Sequence, residues 1–143
     1  MKKIFIYIGE NIQDLKFSCG GELGFDNGVV RYSVDAIHRH LIEERLHPRK
    51  VADKVAEELR YCQPHWDLHI STHSDIPLNL IGLLVHDGLI DPSLVTIYGL
   101  SPDNKQVEFI STYEAEGYLK DFPYGFFEFD STSAKAVYKK KIA

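Results

Sequence analysis

Histidine and cysteine are the residues of this chain whose chemistry could build a metal or catalytic site. Among the seven histidines, His69 and His73 stand four apart. On a strand, that spacing places both on one face about 13 Å from each other, too far apart to share one ion. His38 and His40 stand two apart on a segment with helical spacing, which points them in different directions. The histidines therefore indicate surface or capping positions.

Two cysteines leave further alternatives open. Cys19 and Cys62 are far apart, and no export signal precedes them, so free thiols are expected rather than a disulfide. Zinc bound by histidines together with a cysteine remains an alternative, as does a small hydrolase with a cysteine nucleophile. Neither cysteine stands in a recognisable catalytic loop.

Composition and charge narrow the class of protein. With 143 residues, 44% hydrophobic and 26% charged, the chain is expected to form one globular domain over 1–143. No apolar run reaches the length of a membrane span, so we expect a cytoplasmic protein without a membrane partner. The net charge is −5, and the only basic run is Lys139-Lys140-Lys141, which indicates a solvated tail. No nucleic-acid partner is expected.

Apolar and alternating segments predict the strands. Lys3 to Ile8 is apolar on both faces, as in a strand that is covered on both sides. Trp66 to Thr72 alternates, and two more strands are predicted at 94–100 and 106–112. Asn27-Gly28 lies between short apolar pieces and predicts a hairpin turn, because both positions tolerate positive φ.

Apolar spacing and capping residues predict about three helices. The first follows Ser33 as N-cap, with apolar residues Val34, Ile37, Leu41, Ile42 and Leu46. The second begins at Pro48. The third is capped near Ser74 or Asp75, has Pro77 in its first turn and ends at Gly88. The predicted fold class is α/β, a small sheet with about three helices.

Four segments in this order resemble one protein family. They are Leu46-His47-Pro48 before a helix, Ile70-Ser71-Thr72-His73-Ser74-Asp75, the strand Leu94-Val95-Thr96-Ile97-Tyr98, and Gly117 to Phe127 with its Pro-Tyr-Gly-Phe-Phe. They resemble the C-terminal portion of ABC-type AAA ATPases, more narrowly the prokaryotic group related to the overcoming-lysogenization-defect proteins. The resemblance covers roughly 46–130 and leaves the origin of 1–45 open.

The resemblance implies roles for two residues and shows what the chain lacks. His73 corresponds to the switch histidine that points at the γ-phosphate, with Asp75 nearby. The family also needs a glycine-rich loop ending in Gly-Lys-Ser/Thr, and no Gly-Lys dipeptide occurs in this chain. The segment His38 to Glu44 has helical spacing where the Walker B strand belongs, although Glu43 and Glu44 could supply its carboxylates.

Without a phosphate cradle, we predict no independent catalysis and no cofactor. We expect a non-catalytic protein that mimics, regulates or partners an ABC-type ATPase, with phage–host defence as a natural setting. Its expected partner-binding residues are aromatic, Phe122, Tyr124, Phe126 and Phe127. The alternative is a subunit that completes a nucleotide site in trans, with His73 as the γ-phosphate sensor.

Overall fold

The computed structural model describes residues 3–20, 23–32, 35–41, 50, 53, 56–57, 59, 66–73 and 75–123. Their strands are β1 (Ile4–Ile8), β2 (Lys16–Cys19), β3 (Gly24–Asp26), β4 (Val29–Tyr32), β5 (Ala36–Leu41), β6 (Asp67–Thr72), β7 (Val95–Leu100), β8 (Val107–Tyr113) and β9 (Leu119–Lys120). The helix α1 spans Ile76–His86, and single 3-10 turns lie at Ile12–Asp14 and Pro92–Leu94.

A six-stranded sheet forms the centre, in the order β5-β6-β1-β7-β8-β9. The pairs β5–β6, β6–β1 and β1–β7 are parallel, whereas β7–β8 and β8–β9 are antiparallel. β1 therefore lies between two strands that come much later in the chain. Since parallel strands cannot be joined by a tight turn, the chain crosses over the sheet between them.

Both faces of β1 are covered, as its sequence predicts. Ile4, Ile6 and Ile8 face α1 and pack with residues of β6, β7 and the helix. Tyr7 points to the other face and is fully buried with Val30 and Leu100. A strand with apolar side chains on both sides is stable only between two layers, and this one has them.

The helix α1 confirms the third predicted helix. Asp75 is its N-cap residue, Pro77 lies in the first turn, and Gly88 follows the helix with φ 76°. A glycine there avoids the strain that a side chain meets in the left-handed region. Among the described residues, no helix is long and apolar enough to cross a bilayer.

A second, three-stranded sheet covers the other face of the main sheet. Its order is β2-β4-β3, with β2 parallel and β3 antiparallel to β4. The predicted hairpin turn joins β3 to β4, with Asn27 at φ 50° and Gly28 at φ 76°. The described chain thus forms three layers: helix, six-stranded sheet and three-stranded sheet.

Three expectations are corrected. The α/β class is confirmed, but the main sheet is larger than the small sheet predicted, and α1 is the single complete helix among the described residues. Lys50, Asp53, Ala56, Glu57 and Leu59 are helical, as expected after Pro48. The helix predicted from Val34 to Leu46 is wrong, because Ala36–Leu41 forms the strand β5. Pairing with β6 outweighs local helical spacing, which is a weak determinant in a short segment.

Candidate functional site

The carboxyl ends of the four parallel strands lie at one level. Thr72 at the end of β6 is in register with Ile8 of β1 and with Leu41 of β5, and Ile8 is in register with Gly99 of β7. The residues that follow these strands therefore emerge along one edge of the sheet, here called the carboxyl edge. Open α/β sheets bind their ligands at this edge.

The connections from β1 and β6 leave this edge on opposite sides of the sheet. The chain after β1 enters the three-stranded sheet on one face, and the chain after β6 enters α1 on the other face. Adjacent strands whose connections diverge in this way form the topological switch point at which open α/β sheets bind ligands, and this position between the ends of β1 and β6 is here called the crevice. Gly9 and His73, which directly follow β1 and β6, stand on its two sides.

Of the two residues taken from the resemblance, His73 lies at this crevice. It directly follows Thr72 and is half-buried. Asp75 is exposed and starts α1, where its carbonyl accepts the backbone N–H of Asn79 at 2.9 Å, while its side chain makes no cap hydrogen bond. The roles assigned to His73 and Asp75 remain predictions.

The segment after β1 is tied to the turn between β7 and β8. The Asn11 side-chain amide donates to the Pro102 carbonyl at 2.7 Å, and the Asn104 side-chain amide donates to the Asn11 carbonyl at 2.7 Å. Asn104 is buried in the left-handed region at φ 61°. These reciprocal bonds fix the backbone at Asn11 against its neighbour, and the chain continues into the 3-10 turn Ile12–Asp14.

Charge at this position opposes an anionic ligand. Glu10 is exposed one residue after Gly9, beside the crevice. A phosphate-binding loop needs several backbone N–H groups aimed at one point and a lysine. The described segment after β1 instead presents a carboxylate and a 3-10 turn of three residues, too short to serve as the helix start that usually binds phosphate.

A buried polar cluster lies beneath the three-stranded sheet. The Tyr7 hydroxyl and His69 Nδ1 share a hydrogen bond of 2.8 Å, and the His69 ring is only 1% exposed. Phe5 stacks on His69 with 4.9 Å between ring centroids, and Tyr32 lies 5.0 Å away at a tilt. His69 is therefore a core residue, and the expectation of a surface or capping position is wrong for it.

Burial sets the protonation of this cluster. Desolvation lowers the pKa of His69 to about 4, so the imidazole is neutral at pH 7. Burial, with a smaller contribution from Tyr98, raises the pKa of Tyr7 well above its usual value, and burial also raises the pKa of Tyr98. Neither the neutral imidazole nor the neutral phenol is accessible to a substrate. Their hydrogen bond therefore satisfies two buried polar groups of the core and has no catalytic role.

The strand β5 brings another histidine to the same face. His38 Nε2 lies 3.1 Å from the Ser71 hydroxyl, and the His38 ring stacks on Phe17 with 3.5 Å between centroids. A histidine and a serine at this distance could act as base and nucleophile. Ser71 is fully buried, however, so no substrate reaches its hydroxyl.

The strand β5 occupies the place where the Walker B strand is expected. The helical spacing of His38 to Glu44 predicts a helix there, but Ala36–Leu41 is a strand parallel to β6. The prediction of a helix in place of a Walker B strand is therefore wrong. Glu43 and Glu44 follow β5 in sequence and lie outside the described residues.

Metal ligands do not converge within the described part of the chain. There, no group of three histidine, cysteine or acidic side chains is placed to hold one ion. Sequence spacing already separates His69 from His73, and burial removes His69 from any surface site.

Of the predicted partner-binding aromatics, one falls within the described residues. Phe122 is half-buried and packs edge-on against Phe109, with 5.2 Å between ring centroids. Tyr124, Phe126 and Phe127 lie outside the described residues, so the partner-binding role of this segment remains a prediction.

Comparisons with protein-family models, curated proteins and solved structures found nothing that matches this chain.

Proposed function

We propose that this protein is a non-catalytic interaction domain that binds an ABC-type ATPase in the cytoplasm and regulates or completes it. The proposal rests on the structure of the segment that follows β1. There the backbone is bound through Asn11 to Pro102 and Asn104, and Glu10 stands beside the crevice. Those features favour a fixed loop over a phosphate cradle.

The chemistry of phosphoryl transfer supports the same conclusion. Catalysis of this reaction depends almost wholly on positioning the phosphates and neutralising their charge. A half-buried histidine at the carboxyl edge can add one contact to a bound nucleotide. It cannot replace a lysine, a set of backbone donors and a metal ion.

The partner is proposed from the sequence resemblance. A domain with the segments of an ATPase C-terminal lobe could dock where that lobe docks in a complete ATPase, acting as a mimic or an additional subunit. The aromatic segment with Phe122, Tyr124, Phe126 and Phe127 is one proposed contact, since aromatic residues are enriched at interface centres. Phage–host defence is the proposed setting.

Two measurements test the proposal together. The purified chain is titrated with ATP and Mg²⁺ by calorimetry and assayed for phosphate release, and we expect neither heat of binding nor turnover. A purified ABC-type ATPase of the resembled group is then captured on the immobilised chain, and Phe126→Ala with Phe127→Ala should weaken the capture. Magnesium-dependent ATP turnover by the isolated chain, or capture that is absent or unchanged by these substitutions, would contradict the proposal.

A second candidate function follows from the position of His73. β5, β6 and β1 end together at the carboxyl edge, so His73 stands at the crevice and Glu43 follows the end of β5 by two residues. We propose as the alternative that a partner supplies the phosphate loop and that His73 senses the γ-phosphate of the nucleotide held there.

Substitution of His73 separates the two functions. If the nucleotide site is completed in trans, His73→Ala abolishes the ATPase activity of the complex and leaves its association intact. His86→Ala, at an exposed histidine of α1, is the matched control and should keep full activity. Equal activity of the wild-type and His73→Ala complexes would remove this candidate and leave the non-catalytic role.

A further inference from the structure

An open depression lies on the outer strands of the main sheet. Its volume is about 370 Å³, at the low end of the range for small-molecule sites. It is lined by Thr96 of β7, Ile110 and Thr112 of β8, and Lys120 of β9. Because β7 is parallel to β1, the start of β7 lies at the edge opposite to the carboxyl edge. The depression is therefore separate from the crevice.

Strand pairing brings these side chains to one face of the sheet. Thr112 pairs with Lys120, and Ile110 pairs with Tyr98. Continuing the same register places Thr96 opposite Thr112. Since side chains alternate along each strand, all four lie on the face to which Tyr98 belongs. The three-stranded sheet packs on Tyr98 there, whereas Ile110 remains 60% exposed.

One positive and one negative side chain stand together at this depression. Lys120 and Asp121 are neighbours, which on a continuous strand would point to opposite faces. At Asp121 φ is 58°, so the strand ends there, and both residues line the depression. Both are exposed. Within the described residues, neither side chain makes a hydrogen bond or an ion pair.

The hydroxyl groups of the depression differ in the hydrogen bonds they can still make. The Thr112 hydroxyl donates to the Val95 carbonyl at 2.7 Å, and the Ser93 hydroxyl donates to an Asp91 carboxylate oxygen at 2.8 Å. Because these two protons are in use, both hydroxyl oxygens can only accept from a ligand. In the part of the chain that the structure describes, the Thr96 hydroxyl has no partner, so it can donate.

The arrangement favours a ligand that has both charges and an apolar part. The Lys120 ammonium and the Thr96 hydroxyl can donate to a carboxylate, and the Asp121 carboxylate can accept from an ammonium group. Ile110 offers apolar surface beside them. A simple anion would face Asp121, and a simple cation would face Lys120.

We propose that this depression binds a free aliphatic amino acid. The carboxylate of the amino acid faces Lys120 and Thr96, its ammonium group faces Asp121, and its side chain packs on Ile110. The inference goes beyond the proposed function, because the depression and the crevice lie at opposite ends of the parallel strands.

Titrations with matched small molecules test the proposal. Leucine is added to the isotope-labelled full chain, and the backbone amide shifts of Thr96 and Lys120 are followed by NMR. We expect saturable binding with a dissociation constant of about 1 mM, as for a small ligand at an open site. Leucine amide lacks the carboxylate and N-acetyl-leucine lacks the ammonium group. Each should bind about fivefold more weakly, the upper range for one exposed pair of opposite charges.

Matched substitutions assign each contact. Lys120→Gln should weaken leucine binding about fivefold and leave leucine amide binding unchanged. Asp121→Asn, whose side chain tolerates the left-handed region, should weaken leucine binding and leave N-acetyl-leucine binding unchanged. Ile110→Ser should remove the preference for leucine over glycine. Lys105→Gln is the control, because Lys105 is an exposed lysine at the other end of β8. The amide spectrum of each variant shows that it folds.

Four results would overturn the proposal. They are the absence of saturable shifts with millimolar leucine, equal affinities for leucine and its two derivatives, tighter binding of either derivative, and equal effects of Lys120→Gln and Lys105→Gln. Tighter binding of a derivative would identify a peptide end as the ligand in place of a free amino acid. None of these measurements involves ATP or an ATPase, so failure here leaves the proposed function standing.

Discussion

At the level of single residues, His69 combines a polar side chain with a core position. Its ring packs among Phe5, Tyr7 and Tyr32 and shares one hydrogen bond with the Tyr7 hydroxyl. A protonated imidazole is unfavourable at this position, because burial removes the cation from water. The residue thereby links the pH of the solution to the stability of the fold.

We predict that the protein loses stability as the pH falls from about 6.5 to about 4. The unfolded chain binds a proton at His69 near pH 6.5, whereas the folded chain resists protonation until the pH reaches about 4. Over that window the free energy of unfolding should fall by about 3 kcal/mol from this residue alone. Urea unfolding at a series of pH values measures the slope.

Two variants show whether His69 causes this pH dependence of the free energy of unfolding. His69→Gln removes the titrating group and should flatten the pH dependence, even if its stability at pH 7 is lower. His86→Gln, at an exposed position, keeps His69 and should retain the wild-type slope. An unchanged slope in His69→Gln would show that another group causes the pH dependence.

The contact between Gly82 and Gly117 supports another residue-level prediction. A Cβ at position 82 would lie 2.6 Å from the Gly117 carbonyl oxygen and 3.2 Å from the Tyr113 ring. Gly82→Ala should therefore destabilise the protein by about 1–3 kcal/mol, although alanine is favoured in helices by about 1 kcal/mol. Asn79→Ala, at an exposed position of the same helix, should be neutral or stabilising. Thermal unfolding decides between them, and a more stable Gly82→Ala would contradict the packing described.

At the level of secondary-structure elements, the sequence predicts the elements whose own residues have a characteristic pattern. β1 has apolar side chains on both faces, α1 has a proline in its first turn and a glycine after its end, and Asn27-Gly28 has the residues that a tight hairpin turn requires. β5 lacks such signals, because its polar side chains, among them His38, occupy positions that contact Phe17 and Ser71 only after folding. Pairing with the distant strand β6 cannot be inferred from local spacing.

The candidate site could be predicted only in part for the same reason. The position of His73 at the end of a strand follows from the sequence, since Trp66 to Thr72 alternates and a helix start follows. The crevice beside it depends on which strands are neighbours in the sheet. The order of parallel strands cannot be derived from the sequences of the single strands. The bonds of Asn104 likewise join positions that are far apart in the chain.

We predict that the turn between β7 and β8 depends on asparagine at position 104. Asn104 occupies the left-handed region and donates to the Asn11 carbonyl. Asn104→Gly keeps the backbone conformation and loses the hydrogen bond, which should cost about 1 kcal/mol. Asn104→Ala loses both and should cost about 1–2 kcal/mol more. Chemical unfolding measures the difference, and equal stability of the two variants would exclude a conformational role.

At the level of the whole molecule, the two cores share the main sheet. The helix-side core contains Ile4, Ile6 and Ile8, and the core on the other face contains Tyr7 from the same strand. Loss of either outer layer exposes one face of β1 to water. The three layers should therefore unfold together.

One variant tests this coupling. Val30, fully buried in the three-stranded sheet, is replaced by alanine, which should cost about 2 kcal/mol. Trp66, the only tryptophan, packs at the opposite, helix-side core and reports that side by fluorescence. We expect Val30→Ala to shift the Trp66 transition and the circular-dichroism transition equally. An unchanged Trp66 transition would mean that the layers unfold independently.

The strand order also fixes the timing of folding on the ribosome. β1 pairs Ile4 with Leu68 on one side and with Val95 on the other, so both of its neighbours are synthesised long after it. Until β6 has left the exit tunnel, the backbone groups of β1 have no strand to pair with, and the side of β1 that pairs with β7 stays unpaired until β7 follows. While the residues between β1 and β6 are being synthesised, the nascent chain therefore exposes an apolar segment that lacks a strand partner, and we expect a chaperone that binds unfolded segments to protect it.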